Sequence, residues 1–399
     1  MKPGGQPTFM FIAGESSGDM LAAELVTALK QELTSHHESR ITNHSPQFSG
    51  AGGAKMAAAG VELAFDLTQH SVIGPWDALK SYSRFKRLFE RLVALAFERR
   101  PDVIVCVDFS VFNHRFAERI RWELEVRRAT HGNWKPKIVK YVSPQVWASR
   151  PGRAKSMPRL FDLLLTIFPF EKAWYAARVP ELKVEFVGHP AVDRFNVERS
   201  TLNVQRSENT VLLLPGSRVG ELKRHLPVLH AAAHTMVAAK SFDGAIRFKL
   251  ILPSQALLDL AEEFDWPENT VSQVGGLEEA LSTASIAIAS TGTVTMECAW
   301  FGLPTIAMYK TSWSTYQIGK RIIQVKFLAM PNILADEAIF PEFIQDDATP
   351  ENLSRAALDL LSNSTRLQAI REKLRRVTAS LGEPGAAQRA AQAILGLLR

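Results

Sequence analysis

The stretch Val211-Leu212-Leu213-Leu214-Pro215-Gly216-Ser217-Arg218, followed by Glu221, decides the fold class. Four apolar residues make a strand, Pro215-Gly216 turns it, and a helical pattern follows. Such a strand–turn–helix aims free backbone N–H groups and the positive end of a helix dipole at one point, and Arg218 adds a guanidinium there. That point suits an anion. A second turn of this kind is Ala289-Ser290-Thr291-Gly292-Thr293, with Glu297 one helical turn past Thr293. Either turn alone is also what an ordinary strand-to-helix connection looks like. The pair, in one half of an α/β chain, points to a nucleotide diphosphate.

Outward from these turns, short β-rich runs alternate with helical patterns along almost the whole chain. Strands are predicted at 8–13, 103–108, 138–142, 163–168 and 184–187, then at 211–214, 248–252, 285–289 and 305–308. Continuous apolar strands separated by helices imply parallel sheets covered on both faces. The polar run from Asp193 to Asn209 separates the two series and reads as an interdomain linker. At 399 residues two domains are expected. Facing Rossmann-like sheets would bind ligands in a cleft at the carboxyl ends of their strands.

Composition narrows the class. Hydrophobic residues make up 46% and charged residues 22%, and no apolar run approaches the ~20 residues that span a bilayer. Met1-Lys2-Pro3-Gly4-Gly5-Gln6-Pro7 runs straight into a strand, without a signal peptide's apolar region. The two cysteines, Cys106 and Cys298, are too few for a disulfide framework and lack metal-ligand spacing, so a reducing cytosol is expected. The formal charge of +6 suits anionic ligands, an anionic lipid surface or nucleic acid, but no nucleic-acid motif accompanies it.

Strand ends in the first half carry the remaining chemistry. Gly14-Glu15-Ser16-Ser17-Gly18-Asp19 follows the first strand; it is not a dinucleotide fingerprint. Glu15 and Asp19 read either as helix caps or as groups recognising a hydroxyl or amide. Asp108, after Val105-Cys106-Val107, reads as a general base or as a helix N-cap, with Asn113 five residues on. From Trp76 the residues Leu79, Tyr82, Phe85, Leu88, Phe89 and Leu92 recur at helical spacing, with Arg87 among several bases between them. This basic amphipathic helix either lies on a membrane surface or packs on a sheet. In Tyr141-Val142-Ser143-Pro144-Gln145-Val146-Trp147-Ala148, Ser143 and Gln145 fit a polar ligand and the following Arg150 a phosphate; an ordered loop is the plainer reading.

Together these motifs resemble lipid-A-disaccharide synthase, a glycosyltransferase family of the two-domain GT-B fold. The matching runs are GESSGD at 14–19, SVIG at 71–74, VDxxxFN at 107–113, YVSPQVWA at 141–148, FPFE at 168–171, GHP at 188–190, LLPGSR at 213–218, STGTVTMECA at 290–299 and MPNILA at 330–335. The resemblance implies domains 1–192 and 205–363, with a final helix of about 364–399 packing back on the first. It implies an inverting enzyme that joins UDP-2,3-diacylglucosamine to 2,3-diacylglucosamine 1-phosphate, without cofactor or metal, at the inner face of the cytoplasmic membrane. Asp108 corresponds to the favoured base, with Glu15 and Asp19 near the reacting groups. Ser217, Arg218, Ser290, Thr291, Gly292, Thr293, Glu297 and Asn332 fall to the UDP side. Ser17, Asn113, Ser143, Gln145 and Arg150 fall to sugar or acceptor, and Trp76, Leu79, Tyr82, Phe85 and Arg87 to the membrane. A helical carboxyl terminus and surface aromatics permit a homodimer.

Three departures stand out: Val111 where the family has a second acid, Ser149 where Trp is common, and Asp336-Glu337 where Gly-Arg is usual. The last requires another base, such as Lys310, Lys320 or Arg321, if a cation is needed there. Two other classes remain open at this point: another GT-B enzyme such as a UDP-N-acetylglucosamine 2-epimerase, and a paralogue that binds without turnover.

Overall fold

The computed structural model describes residues 6–35, 46–70, 75–126, 134–199, 206–240, 242 and 244–399, with the backbone alone for 70, 75–82, 84 and 196–199. The chain forms two compact units, one of residues 1–193 and 381–399, the other of residues 194–380.

The first unit holds seven strands: β1 Thr8–Ala13, β2 Gln47–Gly52, β3 Glu62–Asp66, β4 Val103–Val107, β5 Lys137–Tyr141, β6 Leu163–Thr166 and β7 Val184–Phe186. The second holds β8 Thr210–Leu214, β9 Arg247–Leu252, β10 Thr270–Val274, β11 Ile286–Ser290, β12 Thr305–Tyr309 and β13 Glu342–Ile344. All pairings are parallel, in the orders β3-β2-β1-β4-β5-β6-β7 and β10-β9-β8-β11-β12-β13. Both are Rossmann orders, in which the chain direction across the sheet reverses between the first and fourth strands of each unit. The two switch points therefore lie at β1/β4 and β8/β11.

The central strands are buried throughout, as in Val103–Val107 and Thr210–Leu214, because helices cover both faces. Strands β2, β3, β10 and β13 lie beyond the predicted set. The first reads Gln-Phe-Ser-Gly-Ala-Gly, with no β-branched residue, and its burial comes from pairing with β1. Both cysteines are buried and unpaired, and burial raises each thiol to about 12, so neither is reactive.

Two organisational expectations need correction. Part of the supposed linker is helical, Ala191–Arg199. The return to the first unit begins at Leu381 and not near 364, because the helix Ser364–Ala379 belongs to the second unit. Its apolar residues Leu367, Ile370, Leu374 and Val377 are buried. Only the last helix, Ala386–Leu395, packs with Ser16–Ser35 of the first.

Candidate functional site

At the first switch point, Ala13 pairs with Val107, so the turn after β1 meets the turn after β4. The approach is close: a Cβ built on Gly14 would lie 2.3 Å from the Phe109 ring. Asp108 and Phe109 both adopt left-handed backbone, at φ 42° and 44°. Two consecutive non-glycine residues in that region are costly, and such strain gathers at functional sites. Four hydrogen bonds hold the corner. The Asp108 N–H donates to the Tyr141 carbonyl at 2.9 Å, and the Asn113 amide donates to the carbonyls of Val107 and Asp108 at 3.1 and 2.8 Å. The Lys140 ammonium, 1% exposed, also donates to the Asp108 carbonyl. Burial lowers Lys140 to about 8, opposed by the nearby Asp108. Asp108 keeps its carboxylate at the partly exposed strand end, with Glu15 and Ser17 exposed on the neighbouring turn.

At the second switch point Leu214 pairs with Ala289, which brings Gly216 beside Ser290. Gly216 has φ 121°, and a Cβ there would fall 2.6 Å from Glu221 Oε2 and 3.4 Å from Ser290 Oγ. Glu221 occupies the turn: Oε2 accepts the Ser217 N–H at 3.2 Å, and Oε1 accepts Arg218 Nη1 at 3.0 Å. Arg218 is 80% exposed in that pair. Exposed pairs at this spacing stabilise by only ~0.3–0.5 kcal/mol, so an arriving anion can claim both the guanidinium and the N–H groups. Thr291, Gly292 and Thr293 follow β11, and Gly292 takes φ 144° before the helix Thr293–Trp300. Glu297 is half-buried; desolvation raises its carboxyl above the usual range, Arg194 pulls it down, and Glu278 adds to the rise.

Several predicted site residues are committed elsewhere. Asp19 is 4% exposed, and its carboxylate accepts N–H groups of Gly53, Lys55 and Met56 at 2.7, 3.0 and 3.1 Å. It caps the helix Ala54–Ala58 from a distance and is spent in that role. Asn113 is fully buried with its amide N–H groups on strand-end carbonyls, so it shapes the Asp108 corner. Asn332, also fully buried, donates to the Phe340 carbonyl and Glu342 Oε1 and accepts from the Phe340 N–H, each at 2.8 Å. No polar atom of Asn332 is left for a nucleotide. Ser143 is buried, with its hydroxyl 2.9 Å from that of Tyr175. Gln145 and Arg150 are exposed.

The acidic pair at 336–337 reaches outward to Lys326 and Lys373. Of the substitute bases, Lys310 is taken by the carbonyls of Gln345 and Ala348, while Lys320 and Arg321 stand on the helix Trp313–Ile322, which buries none of its residues.

The basic helix runs Pro75–Arg99. Its later half packs as core: Phe89 meets Phe112 edge-on at 5.4 Å, and Leu92, Val93 and Ala96 are buried. The plainer reading holds for that half. Phe85 is half-buried and Arg87 exposed, while Ser71–Gly74 and the side chains of Trp76, Leu79 and Tyr82 lie outside the described residues.

Three buried groups carry part of the site without having been singled out from the sequence. Lys140 follows Ile138 and Val139 near the end of β5, a charge where an apolar residue would be expected, which was the available signal. Glu171 accepts Trp147 Nε1 at 3.0 Å and the Phe168 N–H at 3.1 Å, tying the 141–148 loop to the helix Pro169–Ala176; burial raises it to about 7. His225 lies with Nδ1 2.6 Å from the Pro215 carbonyl and Nε2 accepting the Lys310 N–H at 2.9 Å, which fixes the Nδ1–H tautomer and ties the β8 turn to the end of β12. Nothing in the local sequence distinguishes His225.

The sequence model of the lipid-A-disaccharide synthetase family matches residues 9–396. The chain is 33% identical to the lipid-A-disaccharide synthase of Myxococcus xanthus, over 98% of both chains. It is 32% identical to lipid-A-disaccharide synthase 1 of Legionella pneumophila, covering 93% of this chain and 92% of that one. Among solved structures it resembles a putative UDP-N-acetylglucosamine 2-epimerase from Listeria monocytogenes (TM-score 0.60, 14% identity, 99% and 97% covered). It also resembles the calicheamicin glycosyltransferase CalG4 (TM-score 0.57, 15% identity, 99% of both chains). At those identities the structural likeness establishes the GT-B fold, while the sequence matches, which span nearly the whole chain, establish more: this protein belongs to the lipid-A-disaccharide synthase family.

Proposed function

We propose that the protein transfers 2,3-diacylglucosamine from its UDP conjugate to the 6-hydroxyl of 2,3-diacylglucosamine 1-phosphate. The family match across residues 9–396 carries this reading. Asp108 takes the proton of the 6-hydroxyl while that oxygen attacks the anomeric carbon from the face opposite the leaving group. The bond from the anomeric carbon to the pyrophosphate oxygen breaks, its electron pair leaves with UDP, and the new linkage is β-1,6. Charge growing on the pyrophosphate is met by Arg218 and by N–H groups of the two turns at β8 and β11, where fixed dipoles need no reorganisation. Glu297, one turn into its helix, accepts the ribose hydroxyls.

Both substrates are acylated, so the enzyme works at a lipid surface. No described helix is long and apolar enough to cross a membrane. The sequence of the helix Pro75–Arg99, which mixes large apolar and basic residues, and the exposed Trp313 and Ile318 on the helix that carries Lys320 and Arg321 support a peripheral association.

The decisive assay is incubation with the UDP-diacylglucosamine donor, with and without the monosaccharide phosphate. UDP release that depends on acceptor is expected. Conversion of the donor to its C2 epimer, or donor binding without any turnover, overturns the assignment.

A further inference from the structure

Beside Asp108, within the first unit, lies a pocket of about 280 Å³ that the reaction just described does not use. Lys140, Arg115, Arg153 and His114 contribute its polar lining, with Glu118 as the one carboxylate. Val146, Met157 and Phe161 form apolar walls. Three formal cations against one anion give the lining a net positive charge, and at the buried Lys140 solvent screens it weakly. Lys140 is the most telling member. It is 1% exposed and spends one hydrogen bond on the Asp108 carbonyl, and among the described residues no carboxylate forms an ion pair with it. A buried ammonium with donors to spare calls for an anionic partner. Arg115 and Arg153 are exposed, and among the described residues neither forms an ion pair. His114 is pushed toward neutrality, chiefly by burial, and its Nε2 lies 3.2 Å from the Ser156 hydroxyl. The 17-residue helix Ser110–Val126 begins at the pocket, with Ser110 and Val111 on its lining, and adds the positive end of its dipole. Val111 places an apolar side chain on the lining, where a carboxylate would oppose an anion.

We propose that this pocket binds the phosphate monoester of the acceptor, with Lys140 at its floor and Arg115 and Arg153 at its rim, so that the acceptor sugar is held beside the Asp108 carboxylate. The proposal rests on the acceptor assignment made above. It makes the pocket a specificity device: an acceptor without the phosphate leaves Lys140 buried with only the Asp108 carbonyl as a hydrogen-bond partner among the described residues.

Two measurements on the full-length protein test it. In the first, binding of inorganic phosphate is followed by 31P line broadening for the wild type and for an Arg115→Ala/Arg153→Ala double variant. Both arginines are exposed, so unchanged circular dichroism and thermal unfolding are expected. The wild type should bind, and the double variant should bind about tenfold or more weakly, as loss of two charge-assisted contacts implies. Equal phosphate binding by the two proteins overturns the proposal, as does no binding by the wild type. In the second, transfer is measured with 2,3-diacylglucosamine 1-phosphate and with the same monosaccharide lacking the phosphate. The double variant should raise KM for the phosphorylated acceptor about tenfold or more, with donor affinity unchanged, and lose the wild type's preference over the dephosphorylated one. An unaltered preference in an active enzyme rejects the pocket and leaves the transfer reaction standing. A wild type that transfers to neither acceptor rejects the reaction, and the phosphate titration then decides the pocket on its own.

Discussion

Asp108 and Phe109 hold two successive left-handed backbone conformations, and the three donors and acceptors around them come from β5 and from the helix that follows. Asparagine tolerates the same conformation as aspartate. Asp108→Asn should therefore unfold at nearly the wild-type urea midpoint, keep its affinity for UDP, and lose about 10²–10⁴-fold in turnover, the usual worth of a general base. Near-normal turnover in that variant would remove Asp108 from the role. Glu171 bears on stability. Its pKa in the folded protein, about 7, lies above its ordinary value of 4.5, so the folded state holds a proton that the unfolded state gives up between those values. The resulting stabilisation is complete below pH 4.5 and is lost as pH rises through about 7. Urea unfolding from pH 4.5 to 8 should show this decline, at most ~1.4 kcal/mol per pH unit, and Glu171→Gln should flatten it.

At the scale of elements, the turn after β8 works because Gly216 accepts φ 121° where a side chain would be strained and would strike Glu221. Gly216→Ala is expected to lose ~1–2 kcal/mol of stability and at least severalfold in UDP affinity, both measurable by urea titration and calorimetry. If affinity holds while stability falls, the turn is a structural corner only. The basic helix Pro75–Arg99 illustrates how one periodic pattern serves two environments. Phe89, Leu92 and Ala96 pack into the core of the first unit, Phe89 against Phe112 and Phe116 of the helix Ser110–Val126, whereas Arg87 and its neighbours on the outer side stay in solvent. Periodicity shows that such a helix has an apolar stripe; it does not say what covers the stripe, because a sheet and a lipid surface both reward apolar burial.

For the whole molecule, the chain passes between its two units twice, near 193 and near 380. The second passage is secured on the first unit by Asp193, whose carboxylate accepts the N–H groups of Gly385 and Ala386 at 2.5 and 3.1 Å, and by Arg389 Nε on the Val187 carbonyl at 2.8 Å. Asp193 thus caps the last helix from a residue almost two hundred positions earlier. Asp193→Ala should cost ~1–2 kcal/mol and loosen that helix, seen as faster amide exchange over 386–395 than in the wild type. Unchanged exchange there would show that apolar packing alone holds the segment. The sequence alone determined the two parallel-sheet units, the glycine turns at 215–218 and 290–293 and an acidic residue at the end of a strand, 108, since apolar strands, glycine turns and residues at strand ends are local properties written in a few neighbouring positions. Only the tertiary structure decided that Asp19, Asn113 and Asn332 serve the protein's own backbone, that Lys140 lies buried under the Asp108 corner, and that the return to the first unit starts at Leu381. Those outcomes depend on which distant N–H or carbonyl needs a partner once water is excluded, and no stretch of sequence carries that information by itself.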